Sequence, residues 1–92
     1  MLGTFLLEKT YAHVLFDSSA SHSFVTPEFA KKLSRYPFKM EHVLCVNTLV
    51  GSVLCTNVIF RTCPLNVSGK NLLIDLVKIE MQGFDVILGM TG

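Results

Sequence analysis

Apolar residues recur along this chain in short runs, each closed by a polar or glycine-containing break, and this rhythm predicts strands rather than long helices. Residues 4–8 and 11–16 are apolar, β-branched or aromatic, and Glu8-Lys9-Thr10 interrupts them, which predicts a hairpin. Further strands are predicted over 41–48, 52–61, 72–79 and 85–88, with turns near Val50-Gly51-Ser52, over 67–70 and at Gln82-Gly83. One stretch breaks the rhythm. In TPEFAKKLSRYP, Thr26 can cap a helix, Pro27 suits its first position, Glu28 its first turn, and Lys31, Lys32 and Arg35 its last. The pattern as a whole predicts a mainly-β domain, a small barrel or sandwich, carrying one short helix.

Composition narrows the possible functions. With 92 residues the chain can form one domain with one modest core, and at 50% hydrophobic and 16% charged it is not expected to be disordered. A net charge of +1 gives no overall field for nucleic acid or an anionic membrane. The basic residues Lys31, Lys32, Arg35 and Lys39 are read as a solvated helix face, because no aromatic platform is interleaved with them. Glu8 and Lys9 break the apolar N-terminus, so neither a signal peptide nor a membrane span is expected, and an intracellular location follows as the expectation. Cys45, Cys55 and Cys63 form no CxxC pair and are expected to be reduced, at least partly buried thiols. His13, His22 and His42 are scattered, so no metal site is expected. Asn66-Val67-Ser68 fits a glycosylation sequon but is read as a turn.

The chemistry concentrates at Asp17. A carboxylate directly after Val14-Leu15-Phe16 stands where a buried strand should end, and a charge there is costly unless it is hydrogen-bonded or shares a proton. Taken alone, such a residue could simply form an Asx turn. Its surroundings carry more. Residues 14–25, VLFDSSASHSFV, resemble the active-site loop of the retropepsins, in particular the proteases of gypsy-type retrotransposons and their plant relatives, whose pattern is two apolar residues followed by Asp-Thr/Ser-Gly-Ala. Residues 3–16 are similar to that family's N-terminal hairpin, 26–33 to its helical turn, and 46–51 to its flap, with Leu49 where the relatives often carry Pro. Residues 84–90 are similar to its apolar-apolar-Gly segment, here Ile87-Leu88-Gly89.

The resemblance implies a closed β-barrel of acid-protease type and an aspartic endopeptidase that needs no metal or cofactor. Such enzymes use two carboxylates sharing one proton, since like charges about 3 Å apart cannot both ionise. This chain offers one such loop, so the resemblance implies a homodimer with Asp17 supplied by each copy, acting on peptide bonds of a polyprotein. By the same resemblance Ser18, Ser19 and Ala20 support the loop, Ser18 bonds across the dimer axis, and Val50, Gly51 and Ser52 form the flap tip. Two departures point toward a weakened or inactive enzyme. Ser19 replaces the family's Gly, at a cost of roughly 1–2 kcal/mol if the backbone there is left-handed. The relatives also continue past Leu-Gly-Met with a helix and strand, so residues 1–92 are expected to form one domain that lacks that C-terminal element. The alternative is a domesticated or decaying copy that persists as a non-catalytic interaction domain.

Other candidates are weaker. Asp75 and Asp85 lie in apolar strands and are expected to pair locally or face solvent rather than supply a second catalytic carboxylate. Ser21-His22-Ser23 lacks the nucleophile elbow of a serine hydrolase, and neighbouring strand residues would point to opposite faces.

Overall fold

The expected hairpin forms as β1 (Leu2–Leu7) and β2 (Thr10–Asp17), paired antiparallel from Leu2↔Leu15 to Leu7↔Thr10 in a computed structural model that describes residues 1–47 and 51–89. The chain continues through β3 (Ser23–Val25), α1 (Pro27–Ala30), β4 (Phe38–Asn47), β5 (Val53–Val67), β6 (Lys70–Lys78) and β7 (Val86–Gly89). Hydrogen bonding runs in the order β1-β2-β7-β3-β6-β5, and Leu6↔Asn66 with Leu7↔Leu65 joins β5 back to β1. Six strands therefore close into a barrel, leaving β4 attached, among the described residues, only to β5. Closure removes the open edges that a flat sheet of these strands would expose.

The core follows strand alternation. Ala12 and Val14 on β2 and Val86 and Leu88 on β7 turn inward, joining Leu7, Val25, Phe29, Leu65 and Leu76 in the main cluster. Ile87, on the opposite face of β7, packs with a second cluster built on Phe24, Val77 and Ile79. That cluster also receives Leu44, Val46 and Leu54 from the β4–β5 hairpin, so the two faces of β7 serve different ends of the molecule.

Three expectations about local structure change. The helix is a single turn: Thr26 Oγ1 accepts from Phe29 N at 3.1 Å, but the following bonds are the tighter Lys32 N to Phe29 O and Leu33 N to Ala30 O. Lys31, Lys32 and Arg35 therefore lie beyond the helix. Ser34 donates its N–H and its hydroxyl to Glu8 Oε1, each at 2.9 Å, and Arg35 Nε stands 3.2 Å from Glu8 Oε2. The carboxylate of the β1–β2 turn thus pins this segment, and Arg35 is no part of a solvated face.

β5 runs well past residue 61. Thr62 takes a left-handed φ of 51°, the register on β6 shifts between Phe60 and Cys63, and Asp75 Oδ1 accepts the freed Thr62 N–H at 2.9 Å. A bulge bends one continuous strand around the barrel where the sequence reading ends it. Asn66 closes the β5–β6 turn as expected, accepting from Gly69 N at 3.3 Å.

The thiols are the third change. Cys45 and Cys55 face each other directly across β4 and β5 and are joined as a disulfide, and both are exposed. The expectation of three free, partly buried thiols holds for Cys63 alone, which is fully buried. The reason is geometric. Antiparallel pairing brings opposite Cβ atoms to about 4.5–5.5 Å, within reach of a bridge.

Candidate active site

Asp17 closes β2, and β2 runs parallel to β7 with Val14↔Val86 at one end and Asp17↔Gly89 at the other. β7 also pairs antiparallel with β3, Phe24 opposite Ile87, so Ile87-Leu88-Gly89 threads between the strands on either side of the Asp17 loop. Residues 18–22 must therefore cross over the end of β7. The crossing is tight: Gly89 N donates to Ser23 Oγ at 3.0 Å, and a Cβ on Gly89 would stand 2.5 Å from His22 O and 2.8 Å from Ala20 O. Only a glycine fits beneath this loop without displacing backbone.

The loop also binds its own carboxylate. Asp17 Oδ1 accepts from Ser19 N at 3.0 Å and from Ser19 Oγ at 2.6 Å, while Ala20 N donates to Asp17 O at 3.2 Å. This is the Asx-turn geometry anticipated for an isolated aspartate. The Ser19 hydroxyl, then the Ser19 amide, hold the Asp17 carboxyl below its ordinary value of 3.8 against a smaller opposing effect of desolvation. The nearby N-terminus, whose ammonium donates to Phe16 O at 3.3 Å, adds slightly in the same direction.

Ser19 is not among the left-handed residues, which outside glycine are Glu8, Thr62 and Ser68 among the described residues. The backbone strain expected from a side chain at this position is therefore not present; the substitution instead adds a hydrogen bond to the carboxylate. Ser18 is exposed and Ala20 half-buried.

The other candidates separate. Asp85 lies at the far end of β7, where Oδ2 accepts His13 N at 2.9 Å, so it is removed from Asp17 by the length of the ladder. Asp75 is engaged by the bulge, yet it also borders a cleft of about 350 Å³ with Ser21, His22, Ile59, Val77 and Gly89, immediately beside the Asp17 loop. Ser21 and His22 precede β3 rather than lie in it, and Ser21 Oγ is 3.0 Å from His22 Nδ1. The opposite-faces expectation for these two side chains is thereby corrected: the bend lets them meet at the cleft's lip. Sequence reading missed this cleft because its walls come from β3, β5, β6 and β7, with no local signature.

The flap-like hairpin is β4–β5. Gly51 has a φ of +86° with open space around it, as a turn residue requires, and Ser52 beside it is exposed, while Val50 lies outside the described residues. Leu44, Val46 and Leu54 form the hairpin's apolar inner face, packed against the cluster of Phe24, Val77 and Ile79.

Residues 1–91 match the family described as retroviral aspartyl protease. Among solved structures, EIAV protease complexed with the inhibitor HBY-793 is similar with a TM-score of 0.73 and 19% identity, over 97% of this chain and 80% of that one. The retroviral protease-like domain of Ddi1 from Leishmania major is similar with a TM-score of 0.69 and 18% identity, over 97% and 70%. No curated protein matches the chain. The family match spans nearly every residue, including the Asp17 loop and the Ile87-Leu88-Gly89 strand beside it, and the barrel has the retropepsin fold: the chain belongs to the retroviral aspartyl protease family.

Proposed function

We propose that the chain is an aspartic endopeptidase domain of retroelement origin, acting as a homodimer in which Asp17 of each copy forms the catalytic pair. The observation that carries this reading is the seating of Asp17 at the end of β2, opposite Gly89, in a loop whose Ser19 amide already points at the carboxylate. Two such loops meeting at a twofold axis would bring two carboxylates to proton-sharing distance. One then takes a proton from the attacking water while the other, protonated, donates to the scissile carbonyl. The pair titrates as a unit, so one of its apparent values rises although the carboxyl of a lone chain is held low.

The remaining residues take supporting roles. Ser18, exposed on the loop, bonds across the dimer axis, and Ser19 and Ala20 hold the Asp17 turn. The β4–β5 hairpin, with Gly51 and Ser52 toward its end, covers an extended peptide whose apolar side chains meet Leu44, Val46 and Leu54. A polyprotein segment with apolar residues flanking the cleaved bond is the substrate class this lining favours. The bond from Ser19 Oγ to Asp17 Oδ1 favours a second reading, a domain that keeps the fold without catalysis, because it satisfies an oxygen the dyad would use.

Sedimentation equilibrium at micromolar concentration tests the first reading, and peptide cleavage that Asp17→Asn abolishes separates it from the second. A dimer that Asp17→Asn leaves assembled supports the peptidase reading, and a strict monomer leaves no dyad and overturns it.

A further inference from the structure

The β4–β5 hairpin is built in two parts. Near the barrel, Phe38↔Ile59 and Lys39↔Val58 pair; the register then shifts, and an outer ladder of Leu44↔Thr56, Cys45↔Cys55, Val46↔Leu54 and Asn47↔Val53 follows. β6 joins β5 only from Ile59 onward, and β1 only at Leu65 and Asn66. Among the described residues the outer ladder therefore pairs with itself alone. A bulge isolates it from the inner pairs, and a short two-stranded ribbon is marginal in water without further support. Its support comes from two sources, which lie on opposite faces. Leu44, Val46 and Leu54 pack inward on the second core cluster, while the Cys45–Cys55 bridge lies on the exposed outer face.

We propose that the Cys45–Cys55 bridge is a thiol–disulfide exchange site for a dithiol reductant, and that its reduction releases the outer half of the β4–β5 hairpin while the barrel stays folded. The chemistry is a two-electron transfer. A thiolate of the reductant attacks one of the two cysteine sulfurs, the Cys45–Cys55 bond breaks as a bond to the reductant forms, and the other cysteine leaves as a thiolate. The reductant's second thiolate then displaces the first cysteine, so the protein gains two electrons and two protons and the reductant becomes a cyclic disulfide. Exposure on the outer face gives the attacking thiolate access, and exposed bridges are the labile ones. Cys63 does not compete, since it is fully buried and burial pushes its thiol up to about 11.

Loss of the bridge acts on the outer ladder because the bond closes a loop with a sequence separation of only 10, entirely within that hairpin. No barrel strand other than β5 lies inside the cross-linked loop, and β5 pairs with β6 and β1 only beyond it, so none of the barrel's strand pairings depends on the bridge. The hairpin's inner face would then disengage from the cluster of Phe24, Val77 and Ile79. Reduction would make this outer half of the hairpin mobile.

Hydrogen exchange on the intact chain tests this without reference to peptidase activity, so its failure leaves the proposed function separately testable. Under native conditions dithiothreitol should free two thiols per chain, with Cys63 still protected. The hydrogen-bonded amides within 44–47 and 53–56 should then exchange about 30- to 100-fold faster, the factor a short cross-linked loop represents. Amides of Val14, Leu76 and Val86 in the barrel should change by less than about twofold. The double variant Cys45→Ser with Cys55→Ser should exchange rapidly at the ladder in both buffers and show no response to dithiothreitol. Equal ladder exchange with and without reductant, a bridge that yields only in denaturant, or barrel amides that speed up together with the ladder would each overturn the proposal.

Discussion

Gly89→Ala perturbs the contact on which the whole site rests. The added Cβ would lie 2.5 Å from His22 O, 2.8 Å from Ala20 O and 3.0 Å from His22 C, all backbone atoms of the loop that carries Asp17. Ordinary contact begins near 3.4 Å, so the loop must withdraw by roughly 0.9 Å, and no side-chain rotation can absorb that. Overpacking costs typically about 1–3 kcal/mol, and a clash with backbone places this case at about 2–3 kcal/mol. Reduced freedom of the unfolded chain returns about 0.4–1 kcal/mol, leaving a net loss near 2 kcal/mol. For a domain of this size each kcal/mol lowers the melting temperature by about 4–8 °C, so thermal unfolding followed by circular dichroism should shift down by about 10–15 °C. Gly3→Ala is the control: its Cβ would meet only the Phe5 ring, at 2.6 Å, and a partly buried side chain can turn aside. It should cost less than about 1 kcal/mol. A Gly89→Ala protein that melts within 2–3 °C of the parent, or no lower than Gly3→Ala, would refute the claim that the loop is clamped over β7.

Two further predictions follow from the polar contacts. Glu8→Ala removes two hydrogen bonds to Ser34 and the ion pair to Arg35 and should cost about 1.5–3 kcal/mol in urea unfolding; Glu8→Gly should be less damaging by about 1 kcal/mol, because Glu8 has a φ of 58°, and the reverse order would contradict that geometry. Carboxyl NMR of the monomeric chain should show Asp17 titrating below 3.8, and Ser19→Ala should move it upward, because the Ser19 hydroxyl is the largest cause of the depression. A depressed folded value means that any stability from this group is complete above 3.8 and fades as pH falls through the lower folded value; an upward shift in the parent would refute the bonding seen.

The sequence made the Asp17 loop and the strand beside it legible because their signals are local: an apolar run ending in Asp17, small residues after it, and Ile87-Leu88-Gly89 as an apolar strand ending in glycine. What escaped was non-local. β3 has three residues, too few to show alternation, and it exists because β6 and β7 flank it. The helix stops early because Glu8, distant in sequence, captures Ser34 and Arg35. β5 continues past Thr62 because Asp75 satisfies the bulge. The disulfide depends on register: the predicted turn at Val50-Gly51-Ser52 is centred one residue too late to set Cys45 opposite Cys55, whereas the pairing of β4 with β5 does so. Moving the centre of a hairpin by one residue decides whether two cysteines oppose each other, and only the paired strands fix that centre.

Cleavage of peptide substrates by the parent chain and by Asp17→Asn, compared between weakly acid and neutral pH at a concentration where the chain is dimeric, tests the central claim most directly. The account predicts acid-favoured cleavage by the parent, because one carboxyl of the pair must stay protonated, and a loss of at least about a thousandfold in Asp17→Asn with the dimer and the melting temperature preserved. Ser19→Gly should raise the parent's rate by freeing an oxygen of Asp17. Cleavage that survives Asp17→Asn, or a stable dimer of the parent that cleaves nothing at any pH, would contradict it.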